Sequence, residues 1–154
     1  MAISQLEQAM ATLRLGLAEM GNKEGQLDAQ INQFLTQLHR LPRQVVYGQT
    51  SLDASLTAMG EIEERLEDAV ANRRRLLEIK KTASEELEAL QLLKRVDEAR
   101  SRLASLKKNA KPDDEDARLE IRRLEEFIAA SSRQAEQAIT ERYRERTNAS
   151  PSGG

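Results

Sequence analysis

A single stripe of apolar side chains runs through the first forty-five residues and limits what they can fold into. Its members recur at alternating spacings of three and four residues, and Glu24 interrupts it. The stripe comprises Ile3, Leu6, Met10, Leu13, Leu17, Met20, Leu27, Ile31, Phe34, Leu38, Leu41 and Val45. A repeat averaging about 3.5 residues keeps one side of a slightly underwound helix against a partner. The pattern predicts the a/d seam of a left-handed coiled coil, and we expect residues 3 to 41 of it to form the main interaction seam.

The same heptad phase resumes in a second, much longer helical pattern. Its first apolar members are Leu52, Met59, Ile62 and Leu66. The stripe thins over residues 77–86, and just before and within that stretch Arg73 and Lys80 occupy a-type positions, where apolar residues are usual. We therefore expect a bend or a change of partner near residues 77–86.

Proline and glycine divide the chain into segments. Pro42 and Pro112 each remove an amide donor and push the preceding residue out of the helical region. The unchanged heptad phase on both sides of Gly21 and Gly25 favours a continuous helix there over a short interhelix turn. The predicted segments are helix 1 over 1–41, a connection over 42–50, helix 2 over 51–110, a turn over 111–113, helix 3 over 114–146 and a disordered tail over 147–154.

Composition supports long helices rather than a compact core. The chain has two Phe, two Tyr and no Trp, so it lacks the aromatic bulk of an ordinary globular interior. The sequence predicts an all-α fold, namely an elongated antiparallel coiled-coil helical hairpin with a third C-terminal helix.

Charge and cysteine content narrow the functional classes. Lys and Arg number 24 against 26 Asp and Glu, so no net field draws the chain onto nucleic acid or anionic lipid. The absence of Cys fits a reducing compartment, and no apolar run is long enough to span a bilayer, so we expect a cytoplasmic protein. His39 is the only histidine, so we expect no metal site and no cofactor.

Two local clusters are candidate binding sites. Arg73, Arg74, Arg75, Lys80 and Lys81 could contact phosphates, but acidic residues surround them, which favours a solvated, ion-paired helix face. Val45, Val46 and Tyr47 form an apolar cluster at the first break. They either plug the end of the hairpin or dock a partner.

A long hairpin of this kind is similar in architecture to the helical hairpins of membrane-remodelling filament proteins and of small export-apparatus adaptors. The near-neutral charge argues against the first group. We expect a non-enzymatic scaffold or adaptor that binds protein partners through helical faces, forms a homo-oligomer and takes no small-molecule substrate. The alternative is a peripheral membrane-binding or nucleic-acid-binding module that uses the cations of helices 2 and 3.

Overall fold

The computed structural model describes the backbone of residues 3–149 and the side chains of residues 5–137. It contains three α-helices: α1 over Ile3–Val46, α2 over Leu52–Asn109 and α3 over Glu115–Ala149. No strand occurs among the described residues. The all-α class predicted from the sequence is confirmed. Of the predicted disordered tail, residues 147–149 continue α3, and residues 150–154 lie outside the described part.

The first helix continues past its predicted end at Leu41. It runs without interruption through 21–25 and through Pro42, and ends at Val46. The helix ends in a Schellman motif, in which Gln49 N–H donates to Gln44 O at 2.8 Å and Gly48 N–H donates to Val45 O at 3.0 Å. Gly48 takes the left-handed conformation that this motif requires, with φ of 73°. Pro42 costs the helix one hydrogen bond, whereas the Schellman motif satisfies the carbonyls at the helix end, so the glycine sets the boundary.

Side-chain caps define the beginnings of the other two helices. Ser51 Oγ accepts from the amide of Ala54 at 3.2 Å and starts α2. Asp114 Oδ1 accepts from the amide of Ala117 at 3.2 Å and starts α3. Between these caps, α2 is a single helix through residues 77–86.

Contacts within the chain divide it into two compact units. We call residues 13–84 the two-helix unit, because they contain only segments of α1 and α2. We call the other unit, Met1–Thr12 with Glu85–Gly154, the three-helix unit, because all three helices contribute to it.

The two units bury different sets of side chains. Among the described side chains of the three-helix unit, the buried residues are Leu6, Met10, Ala89, Val96, Ala99, Ser131 and Ala135. In the two-helix unit they are Leu27, Ala69 and Ser55. Small residues on α2 and α3 allow the helices of the three-helix unit to approach closely around the larger Leu6 and Met10. The two-helix unit has a thinner interior, as expected where only two helices meet.

Candidate interaction surface

The seam predicted from the heptad repeat faces the interior of each unit. Every seam residue from Leu6 to Leu41 is buried or half-buried, and the side chain of Ile3 lies outside the described part. In the two-helix unit Leu27 is the most deeply buried seam residue, with 4 % of its surface exposed. Because a single chain provides this burial, the seam is occupied by the chain's own helices. A role of the seam in contacts with other proteins stays a prediction.

One polar layer interrupts the seam of the two-helix unit. The Glu24 carboxylate lies between two cations of α2, with Oε2 2.9 Å from Lys80 Nζ and Oε1 3.6 Å from Arg73 Nη2. Arg73 Nε also donates to Asp28 Oδ1 at 2.6 Å. We call these four residues the polar cluster. Polar groups at a positions penalise other registers and partners, because a shifted helix would leave a charge unpaired.

The polar cluster includes two of the five cations of the predicted anion site. Arg73 and Lys80 are neutralised by carboxylates of α1, which sequence reasoning had not considered as their partners. Arg74 and Arg75 are exposed, and Arg75 donates to Asn72 at 2.9 Å. Lys81 is exposed but engaged within the chain. The signal that was missed is that Glu24, Arg73 and Lys80 all fall at a positions with opposite signs.

The apolar cluster at the end of α1 points mostly into solvent. Val45 is half-buried, whereas Val46 and Tyr47 are 81 % and 78 % exposed. Pro42, Arg43, Val46 and Tyr47 line an open groove. Of the three residues, only Val45 packs against the turn that follows α1. Docking of a partner by Val46 and Tyr47 stays a prediction.

Exposed apolar side chains also follow the two helices away from the turn. They recur on α1 at a spacing of eleven residues and on α2 at spacings of four and fourteen, which keep each set near one face of its helix. We call this set the apolar flank. Its members are Leu35, Val46, Leu52, Leu56 and Val70, each at least half exposed.

An ion pair shows that the two halves of the flank adjoin. Leu35 lies one heptad after Asp28, and Val70 lies three residues before Arg73, so each shares a helix face with its neighbour. Asp28 and Arg73 are in direct contact at 2.6 Å. The α1 face carrying Leu35 and the α2 face carrying Val70 therefore meet on the same side of the two-helix unit.

The two edges of the apolar flank carry opposite charges. On the α1 edge lies Arg43 and on the α2 edge lie Asp53 and Glu67, whereas Glu63 lies on the apolar line of α2, one heptad from both Leu56 and Val70. All four are exposed. Within residues 5–137, none of these four side chains forms a salt bridge. Their charges are free to interact with a partner.

The described part of the chain contains neither a metal site nor a membrane-spanning helix. No group of three or more His, Asp or Glu side chains there could hold a metal ion. No described helix is long and apolar enough to cross a membrane. No protein-family model matches the sequence, and neither a curated protein nor a solved structure matches it.

Proposed function

We propose that this chain is a non-enzymatic interaction protein, a coiled-coil scaffold or adaptor that binds protein partners through helical faces and self-associates. The observation that carries the proposal is the concentration of exposed large apolar side chains on the two-helix unit. They are Leu15, Leu35, Val46, Tyr47, Leu52, Leu56, Val70 and Ile79. Five of these residues form the apolar flank, and exposed apolar groups that share a face are typical of protein-binding surfaces.

The architecture that best supports this function is an antiparallel coiled-coil hairpin of α1 and α2 with α3 as a third helix. Two contacts in the two-helix unit support it, since Asp28 pairs with Arg73 and Glu24, earlier in α1, pairs with Lys80, later in α2. Opposite chain order is what antiparallel helices require. Such a hairpin offers long, continuous faces on which partner helices can pack in register.

The second candidate function is binding to anionic membranes or nucleic acid. The exposed guanidinium groups of Arg74, Arg75, Arg122 and Arg123 favour it. The pairing of Arg73 and Lys80 with α1 carboxylates weakens it, because those cations are already neutralised. A phosphate-binding surface needs several free cations that act together.

Two measurements on the full chain separate these functions. Light-scattering mass, followed from low to high micromolar concentration, should rise above that of one chain if the protein self-associates. Sedimentation with anionic vesicles or with duplex DNA should show little binding at any salt concentration. A mass of one chain throughout, together with co-sedimentation that weakens steeply as salt rises, would replace the first function by the second.

A further inference from the structure

We infer that the apolar flank of the two-helix unit binds the same flank of a second copy of this chain, with α1 of each copy lying against α2 of the other. This inference rests on the proposed function and assigns a surface and a partner to it. It places the contact between copies outside the predicted interaction seam, because the seam residues from Leu6 to Leu41 are already buried or half-buried within each chain.

The chain itself shows what covers a pair of helices of this kind. In the three-helix unit, where α3 adds to α1 and α2, the exposed large apolar residues are only Leu119 and Phe127, among the described side chains. The two-helix unit has no third segment, and its flank stays open. A second copy supplies the missing helices, and a closed two-fold pair satisfies both flanks at once.

The charges at the edges of the flank select a second copy as the occupant. The Asp28–Arg73 contact sets the level of the two antiparallel helices, so Arg43 lies level with Ala58, midway between Asp53 and Glu63. A two-fold axis parallel to the helices places α2 of the second copy across from α1 at the same level. Arg43 of each copy then lies near Asp53 and Glu63 of the other copy, so the interface contains this contact twice. A purely anionic or purely cationic surface would complement only one edge and repel the other.

The same two-fold operation also matches the apolar side chains. Leu35 lies level with Leu66 and so faces Val70 of the second copy, one helical turn away. Val46 lies level with Ser55, which places it between Leu52 and Leu56 of the second copy. One two-fold arrangement therefore pairs apolar side chains with apolar side chains and charged side chains with side chains of opposite charge.

The size of the flank predicts how tight the pairing is. Residues 52–70 span about 27 Å of helix, and two adjacent helices are about 20 Å wide, so the flank offers about 500 Å² per copy. The pair would bury about 1,000 Å² in total, at the lower limit for specific interfaces. We therefore expect a dimer that dissociates on dilution.

The first test compares two double variants of the full chain by sedimentation equilibrium over a range of concentrations. Leu56→Glu with Val70→Glu changes the flank. Leu15→Glu with Ile79→Glu is the matched control, since these residues are 74 % and 56 % exposed and lie on other sides of the same two helices. The flank variant should raise the dimer dissociation constant at least about tenfold, and the control should leave it nearly unchanged. Circular dichroism checks that both remain helical.

A charge reversal tests the second copy as the occupant. Arg43→Glu and Glu63→Arg should each weaken the dimer severalfold, because each places like charges together. The two changes combined should restore the dissociation constant to near that of the unmodified chain.

The outcomes separate this inference from the function on which it rests. A dimer that the flank variant leaves intact, or that the control pair disrupts equally, overturns the flank as the surface while self-association stands. Additive losses without restoration in the charge-reversed double variant overturn the α1-to-α2 pairing of two copies. An unmodified chain that stays monomeric at every concentration overturns both the inference and the proposed self-association.

Discussion

The two units of this protein are built from the same helices but differ in how much apolar surface they leave open. The three-helix unit buries side chains from α1, α2 and α3, including Leu6, Met10 and Val96. The two-helix unit buries one large apolar side chain, Leu27, and contains eight of the ten large apolar side chains that are exposed in the described part of the chain.

The difference shows what a third helix contributes. Two packed helices cover only the seam between them, so residues beside the seam, such as Leu56 and Val70, stay in water. A third helix forms two more contact lines and removes such residues from solvent. Stability should therefore be concentrated in the three-helix unit, and binding capacity in the two-helix unit.

The largest difference between the two units is expected when aspartate replaces one valine of α2 in each unit. Val96 is 2 % exposed in the three-helix unit, and Val70 is 50 % exposed in the two-helix unit. Val96→Asp should lower the free energy of unfolding by at least about 3 kcal/mol, because an unpaired carboxylate would be buried. Val70→Asp should change it by less than about 0.5 kcal/mol in dilute solution, where the dimer is absent. Urea unfolding of both variants measures this, and similar losses would mean that the two sites do not differ in burial.

A smaller difference in the free energy of unfolding is expected between leucines of the seam and of the outer face of α1. Leu27→Ala should cost about 2–4 kcal/mol, since the side chain is 4 % exposed and its removal leaves a cavity. Leu15→Ala should cost less than about 0.5 kcal/mol, because Leu15 is 74 % exposed and Ala is a better helix former. Thermal and urea unfolding report both changes. Equal losses would show that the faces of α1 are misassigned.

The polar cluster offers a test that depends on salt. Glu24→Gln removes both ion pairs of Glu24 and leaves Lys80 without this partner, which should cost about 1 kcal/mol at low salt. The loss should shrink as salt rises, because salt screens the partly exposed pairs in the unmodified chain. Glu67→Gln is the control, since Glu67 is exposed and forms no ion pair among the described residues. A loss for Glu24→Gln that is the same at high salt would argue for a packing effect instead.

The smallest expected effects come from two serines near the start of α2. Ser55 is 1 % exposed, and its Oγ has no hydrogen-bond partner among the residues that the structure describes. Ser55→Ala should raise the free energy of unfolding by about 0.5–1 kcal/mol, because it removes an unsatisfied buried hydroxyl and adds a better helix former.

The same replacement at Ser51 should have the opposite sign. Ser51→Ala removes the side chain that caps α2 and should lower the free energy of unfolding by about 1 kcal/mol. Urea unfolding of both variants gives the comparison. If Ser55→Ala is destabilising, its hydroxyl has a role that the packing does not show.

Local signals predicted some features of the fold well and others poorly. The heptad phase predicted helical structure across residues 21–25, because a constant repeat outweighs two glycines. The same local reasoning ended α1 at Leu41, before Pro42, whereas the helix continues to Val46 and the Schellman motif at Gly48. It also treated Arg73 and Lys80 as neighbours of acids on α2 only, although their partners are on α1. Contacts between residues far apart in sequence depend on the level at which two helices meet, and no single stretch contains that information.

Spacing and helix propensity are enough to predict that this chain is helical and which stripe of α1 faces inward. Which apolar residues are covered depends instead on how the helices pack. Leu52 continues the heptad phase of the seam and yet is 60 % exposed, whereas Ala99, on the same helix, is 7 % exposed. The two differ because burial needs a neighbouring helix at the same level. The three-helix unit provides that neighbour for Ala99, and the turn at the end of α1 leaves Leu52 without one.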